Sequence, residues 1–302
     1  MAATIGDVLA RAIARLRVAS ECPDSDAVEL LSRLVGTGRG ELLGRYGRLL
    51  DTAQGERFEA WLERRLAGEP VQYITGLAAF RDLDLEVTPA VLIPRSETEG
   101  LVEVVLDVLR GEVSRWPRPR VLDLGTGSGA IALAIAQEWP AAIVFATDAS
   151  EAALAVARRN AAASGLDERV EFRAGDWFDA VGGDDRYEII VSNPPYIAEG
   201  EAEVLPRDVR DHEPASALFS GPSGLEALRE IIEESPRHLV AGGLLALELA
   251  ESRAREVASW LEGAHDWSGV ELIDDLAGQP RVLLARRERG PAIAPAQWGE
   301  ER

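Results

Sequence analysis

In Arg120-Val121-Leu122-Asp123-Leu124-Gly125-Thr126-Gly127-Ser128-Gly129-Ala130-Ile131-Ala132, three glycines at alternate positions separate two apolar runs. The stretch reads as strand, glycine loop and helix. Glycine allows a tight turn and close approach of a ligand to the backbone, and the helix start offers N–H groups without partners inside the helix. The spacing is G-x-G-x-G, which differs from the G-x-G-x-x-G of a dinucleotide site.

Downstream, further strands end on polar residues. A strand at 142–147 leads to Asp148, whose carboxylate suits ribose hydroxyls or caps the helix that follows. A strand at 170–174 delivers Gly175-Asp176-Trp177-Phe178. There Asp176 can accept from an adenine amino group while Trp177 covers the ring. The next strand, Tyr187-Glu188-Ile189-Ile190-Val191, runs into Ser192-Asn193-Pro194-Pro195-Tyr196. The two prolines stop it, because neither donates to a ladder and Asn193 is pushed out of helical space. Open α/β sheets bind ligands at such strand ends, and the first three predict a nucleoside site.

The proline loop predicts a second function. An amide or ring-amino nitrogen is a weak nucleophile because its lone pair is delocalised. If Asn193 Oδ1 and the Pro194 carbonyl each accept one N–H, that lone pair is aimed at an incoming methyl group. Tyr196 would stack on the planar group, giving catalysis by orientation and by stabilisation of the charge developing on nitrogen. A general base is optional, since the alkylated nitrogen becomes acidic.

Composition narrows the partners. The chain has 302 residues, enough for two domains, and no apolar run long enough to span a bilayer. No signal-peptide pattern opens it, and the single Cys22 forms no internal disulfide, which fits a reducing cytoplasm. Three scattered histidines without Cys partners predict no metal site. Net charge is −20, all 32 basic residues are Arg, and residues 91–302 hold 21 of them against 38 acids. A GC-rich genome or a salty cytoplasm accounts for that bias. Such a half repels a phosphate backbone, so direct nucleic-acid binding is not expected and protein is the better candidate substrate.

Residues 1–68 read as a small helical bundle, with Thr4 and Asp51 as N-caps. They hold no chemical constellation, and packing and partner recognition are equally open as their role. Residues 69–94 read as a β-hairpin linker that includes the alternating Asp82-Leu83-Asp84-Leu85-Glu86-Val87 and the run Val91-Leu92-Ile93. Ser96 and Glu99 read as a capping box, and Arg95 either makes a hairpin ion pair or lines the site. Residues 95–287 form the catalytic domain, in which 199–222 is an irregular acidic loop long enough to be functional. Helices at 223–234 and 250–261 and strands at 243–248, 270–273 and 282–285 complete the sheet, and 288–302 is a disordered tail.

These residues resemble the class I S-adenosylmethionine-dependent methyltransferases, and within them the PrmC/HemK family, which methylates the glutamine side-chain amide of the Gly-Gly-Gln motif in class I peptide chain release factors. The resemblance runs through Glu69-Pro70-Val71-Gln72-Tyr73-Ile74-Thr75-Gly76, Leu92-Ile93-Pro94-Arg95-Ser96-Glu97-Thr98-Glu99, the glycine loop, Asp176-Trp177-Phe178, Ser192-Asn193-Pro194-Pro195-Tyr196-Ile197 and Asp208-Val209-Arg210 with His212-Glu213-Pro214. It implies an α/β fold with a Rossmann-like, seven-stranded mixed sheet, a helical N-terminal domain that recognises substrate, and a connecting hairpin. It implies that Gly125, Thr126, Gly127, Ser128 and Gly129 hold the methionine part of S-adenosyl-L-methionine, Asp148 its ribose, and Asp176 with Trp177 its adenine. Asn193, Pro194, Pro195 and Tyr196 would bind the target amide, with Asn193 also near the cofactor, and S-adenosyl-L-homocysteine would leave as product. Ser96 replaces the family's usual proline, and Leu247-Glu248-Leu249-Ala250-Glu251-Ser252 lacks its usual glycine and glutamine. Three rivals share parts of the pattern. They are a ribosomal-protein glutamine methyltransferase, an adenine-N6 methyltransferase of nucleic acid, and a cofactor-binding module without catalysis.

Overall fold

The computed structural model describes residues 3–288. The tail expected at 288–302 therefore lies, from 289 onward, outside the described residues. Two compact units are present. One takes the chain up to Ala78 with 87–89 and 203–213, and the other takes 79–86, 90–202 and 214 onward.

The first unit contains helices α1 (Ile5–Leu16), α2 (Pro23–Val35), α3 (Arg39–Leu43), α4 (Thr52–Leu66) and α5 (Val71–Thr75). Thr4 and Asp51 are N-caps, as expected, and each also closes a capping box, with Asp7 and Gln54. The helices bury one apolar stripe each, and Ile5, Leu9, Leu30, Leu31, Phe58 and Leu62 make the core. Arg65 is buried there, with its guanidinium 2.7 Å from Asp26 and 3.8 Å from Asp208.

A short hairpin follows, β1 (Leu77–Phe80) and β2 (Leu83–Glu86). It is smaller than the one expected over 69–94, because 71–75 is helical and 91–93 lies outside any strand. Arg81 at its turn pairs with Glu103 and Glu138.

In the second unit α6 (Ser96–Gly111) precedes β3 (Arg120–Leu124), α7 (Ala130–Glu138), β4 (Ile143–Asp148), α8 (Glu151–Ala163), β5 (Val170–Ala174) and β6 (Tyr187–Ser192). After α9 (Arg207–His212, in the first unit) come α10 (Ala215–Leu218), α11 (Glu226–His238), β7 (Leu239–Glu248), α12 (Glu251–Glu262), β8 (Trp267–Asp274) and β9 (Pro280–Arg287). The seven strands lie in the order β5-β4-β3-β6-β7-β9-β8, with β9 antiparallel to both neighbours and the others parallel. Alternate side chains feed two cores. Val121, Val144, Ile189, Val191, Leu244 and Ala246 pack with α6 and α7. Leu122, Ile190, Leu245 and Leu247 pack with α11 and α12 on the other face.

Two local expectations are corrected. Arg95, with extended φ and ψ, is the N-cap of α6, and Ser96 is already helical. The Ser96 hydroxyl bonds Glu97, and the Glu99 carboxylate accepts from the Arg81 N–H, so no capping box forms. Residues 199–222 are largely short helical turns, 199–204 and the two helices α9 and α10.

Candidate active site

The sheet register assembles the site. Leu124 is level with Thr147 and with Ser192, and Ser192 is level with Leu247. One residue further on, Asp148, Gly125, Asn193 and Glu248 therefore stand side by side at the carboxyl ends of β4, β3, β6 and β7. By alternation Asp148, Asn193 and Glu248 continue the rows that face α6 and α7, where Ala146, Val191 and Ala246 lie one pleat below. Asp123 continues the same row of β3 one level deeper. A hydrophobic stripe thus becomes polar where the ladders end.

The glycine loop curves over this edge. Gly125, Gly127 and Gly129 have φ of 69°, 56° and 86°, a region that L side chains rarely adopt. A Cβ on Gly125 would stand 3.3 Å from the Trp177 ring, whereas one on Gly127 would project into open space. The Thr126 N–H donates to the Thr147 carbonyl at 2.9 Å, and its hydroxyl donates to Asp123 Oδ2 at 2.6 Å. Asp123 Oδ2 also accepts from the Ala132 N–H, and complete burial pushes its pKa up to about 7.

Asp148 holds the loop from the neighbouring strand. Its Oδ2 accepts from the Gly127 N–H and its Oδ1 from the Ser150 N–H, each at 2.8 Å. The cap of α8 is Ser150, whose hydroxyl accepts from Ala153, so capping is not the work of Asp148. Burial raises the Asp148 pKa. Trp177 opens a 3-10 turn with φ of 39°, a strained value for a non-glycine residue.

The proline loop is fastened from behind. The Ser192 hydroxyl donates to the Leu124 carbonyl at 2.7 Å, and Asn193 Nδ2 donates to Thr98 Oγ1 at 3.0 Å. Tyr196 packs against the core under α11 and α12, and burial pushes its pKa up to about 12.

A cavity of about 480 Å³ joins these parts. Its wall includes Gly125, Thr126, Gly127, Ser128, Asp148, Asp176, Trp177, Asn193 and Pro195. Gly129, Pro194 and Tyr196 stand outside that wall. Gly129 is packed on Leu133 and Ala157, and Tyr196 on the sheet core. Arg95 lines the cavity, together with Val91, Leu92, Pro94 and Thr98, and Pro214, Ser216 and Ala217 close another side. Thr98, Glu248 and Asp123 were not singled out from the sequence, and the last two lie within β7 and β3. Among the described residues no group of His, Cys, Asp and Glu could hold a metal ion, and no helix is long and apolar enough to cross a membrane.

The chain is similar to known proteins. Residues 102–208 match the family model of the methyltransferase small domain, and residues 7–76 that of the PrmC N-terminal domain. The chain is 42% identical over 265 residues to the release factor glutamine methyltransferase of Gloeobacter violaceus, covering 86% of this chain and 91% of that protein. It is 41% identical over 285 residues to that of Moorella thermoacetica, covering 94% and 99%. Among solved structures, the hMettl16 catalytic domain in complex with MAT2A 3'UTR hairpin 6 has a TM-score of 0.55 at 15% identity, covering 82% of this chain and 87% of that one. That last likeness is one of fold alone.

Proposed function

The chain belongs to the release factor glutamine methyltransferase family, and from that premise we propose that it methylates the side-chain amide nitrogen of the glutamine in the Gly-Gly-Gln motif of class I peptide chain release factors. The observation that carries the reading is the shared row. The glycine loop with Asp148 and the proline loop with Asn193 open into one cavity.

The residues present fit S-adenosyl-L-methionine. Gly127 leaves the space a Cβ would fill, and each Asp148 oxygen, having accepted one backbone N–H, keeps a lone pair for a hydroxyl donor. Gly125 to Gly129 would hold the methionine part, Asp148 the ribose, and Asp176 with Trp177 the adenine. When bound, that cofactor supplies an electrophilic methyl group. Asn193 Oδ1 and the Pro194 carbonyl would accept the two N–H groups of the glutamine, and Tyr196, packed on the sheet core, would hold the proline loop that aims them. Holding both hydrogens on acceptors keeps the nitrogen lone pair directed into the cavity and favours positive charge there. No residue need be a strong base. The acidic balance of residues 91–302 argues for a protein substrate over a nucleic acid, and residues 1–68 would recognise the folded release factor.

The test is direct. Purified protein with methyl-labelled cofactor is offered release factor, ribosomal protein and DNA separately. Label is expected on the release-factor glutamine alone, and label on DNA or ribosomal protein instead would overturn the reading.

A further inference from the structure

Of the four residues that stand level at the strand ends, Glu248 alone is outside the cavity wall, and the methyl-transfer chemistry above makes no use of it. It is only 1% exposed, and its Oε2 has no hydrogen-bond partner. A carboxylate so buried is costly unless something nearby needs it. The polar side chains beside it that can donate are Thr98, from the first turn of α6, and Asn193, which follows Ser192 on β6 level with Leu247. Asn193 Nδ2 in turn donates to Thr98 Oγ1 at 3.0 Å.

From this geometry we propose that Glu248, acting through Thr98, is a positioning residue that fixes which end of the Asn193 amide faces the substrate. The chemistry follows from donor and acceptor count. An ionised carboxylate only accepts, so the Thr98 hydroxyl must give its proton to Glu248 and is left to accept from Asn193 Nδ2. Both donors of Asn193 then point at the Thr98–Glu248 pair, and Oδ1 is turned to the cavity as an acceptor. A protonated Glu248 reverses the chain, since it can donate to Thr98, whose own hydrogen then suits Asn193 Oδ1. That flipped amide offers N–H where the N–H groups of the reacting nitrogen must be held, and the two repel.

The surroundings of Glu248 let this happen near neutral pH. Burial is the main cause that pushes its pKa up to about 7, and Glu97 of α6 adds to it. Arg281 of β9 opposes the shift, as do the hydrogen bonds from Thr98 and Asn193, and Tyr196 is the further titratable neighbour. Because an acid with a raised pKa is neutral below it, the productive orientation is lost as pH falls through about 7 and gained as pH rises.

The inference rests on the methyl-transfer reading, and the test separates the two. Rates with release factor and cofactor affinity are measured against pH for wild type, Glu248→Gln, Thr98→Val and Thr98→Ser. Glu248→Gln, whose amide imposes no direction, should lower kcat about 10- to 100-fold, leave cofactor Kd within about threefold, and lose the acid limb of the wild-type profile. Thr98→Val should behave like it, while Thr98→Ser, which keeps the hydroxyl, should recover most of the rate. Thr98→Val matching Thr98→Ser, or Glu248→Gln retaining both wild-type kcat and the acid limb, would overturn the assignment. If Glu248→Gln fails to fold, the Thr98 pair decides alone. An inactive wild type would sink the methyl-transfer reading only. The Asn193 side-chain amide resonances still test the orientation, since they should titrate near pH 7 in wild type and stay still in Glu248→Gln or Thr98→Val. Titration that persists in both variants would refute it.

Discussion

The two loops at the middle of the polar row are built by opposite means. From Gly125 to Gly129 the chain adopts left-handed φ at every second residue, and its N–H groups are held from below by Thr147 and Asp148. From Asn193 to Pro195 it has the stiffest backbone available, with Thr98 bonded to Asn193 and Ser192 pinned just before it. A surface that wraps a ligand has to bend, and a group that aims one atom has to keep still. On the methyl-transfer reading, the glycine side should govern how tightly the cofactor binds, and the proline side how fast the bound substrate reacts.

Substitutions can break that division. The largest effect is expected at Asn193→Ala, which should cut kcat by about 10²–10³-fold while cofactor affinity stays within about tenfold. Kinetics with calorimetric titration measure both, and parallel losses would end the distinction. Next, Asp148→Ala should weaken cofactor binding by roughly 1.5–3 kcal/mol through lost hydrogen bonds to a charged acceptor. Its kcat at saturating cofactor should stay close to wild type, and unchanged affinity in a folded variant would leave Asp148 only the loop to hold. Gly127→Ala should cost about 1–2 kcal/mol of the same affinity, because alanine resists φ of 56° and its methyl enters the open space. The smallest effect lies in the other unit. Asp51→Ala removes a capping box and should lower stability by about 1 kcal/mol in a denaturant titration, with kcat and Kd unmoved.

The two sides were also unequally legible in the sequence. Glycine spacing and paired prolines are local signals with one backbone meaning each, so the loops and the parallel strands before them could be read directly. Glu248 could not, because inside Leu244-Leu245-Ala246-Leu247-Glu248-Leu249 it looks like a stray charge in a buried strand. Its meaning depends on which residue of β6 lies beside it, and that is a matter of register. Thr98 was hidden for a similar reason, being 95 positions from the Asn193 it bonds. The capping box at Ser96 failed because Glu99 is claimed by Arg81, across a hairpin that local rules do not see. The turns within 199–222 are too short for a hydrophobic period, and α9 packs through Asp208 beside the buried Arg65 of α4.

Register also bears on how the protein reaches its working state. Sliding β4, β6 or β7 by one residue would turn Asp148, Asn193 or Glu248 toward the opposite core and leave the row incomplete. The strands that supply it are separated by α7, α8 and α11, so their alignment comes only with the long-range contacts that are slow to form. A partly folded chain would then have helices and strands but no cofactor site. Binding competence and global folding should be one cooperative transition, and S-adenosyl-L-methionine, bound only by the native form, should raise the melting temperature in step with its concentration.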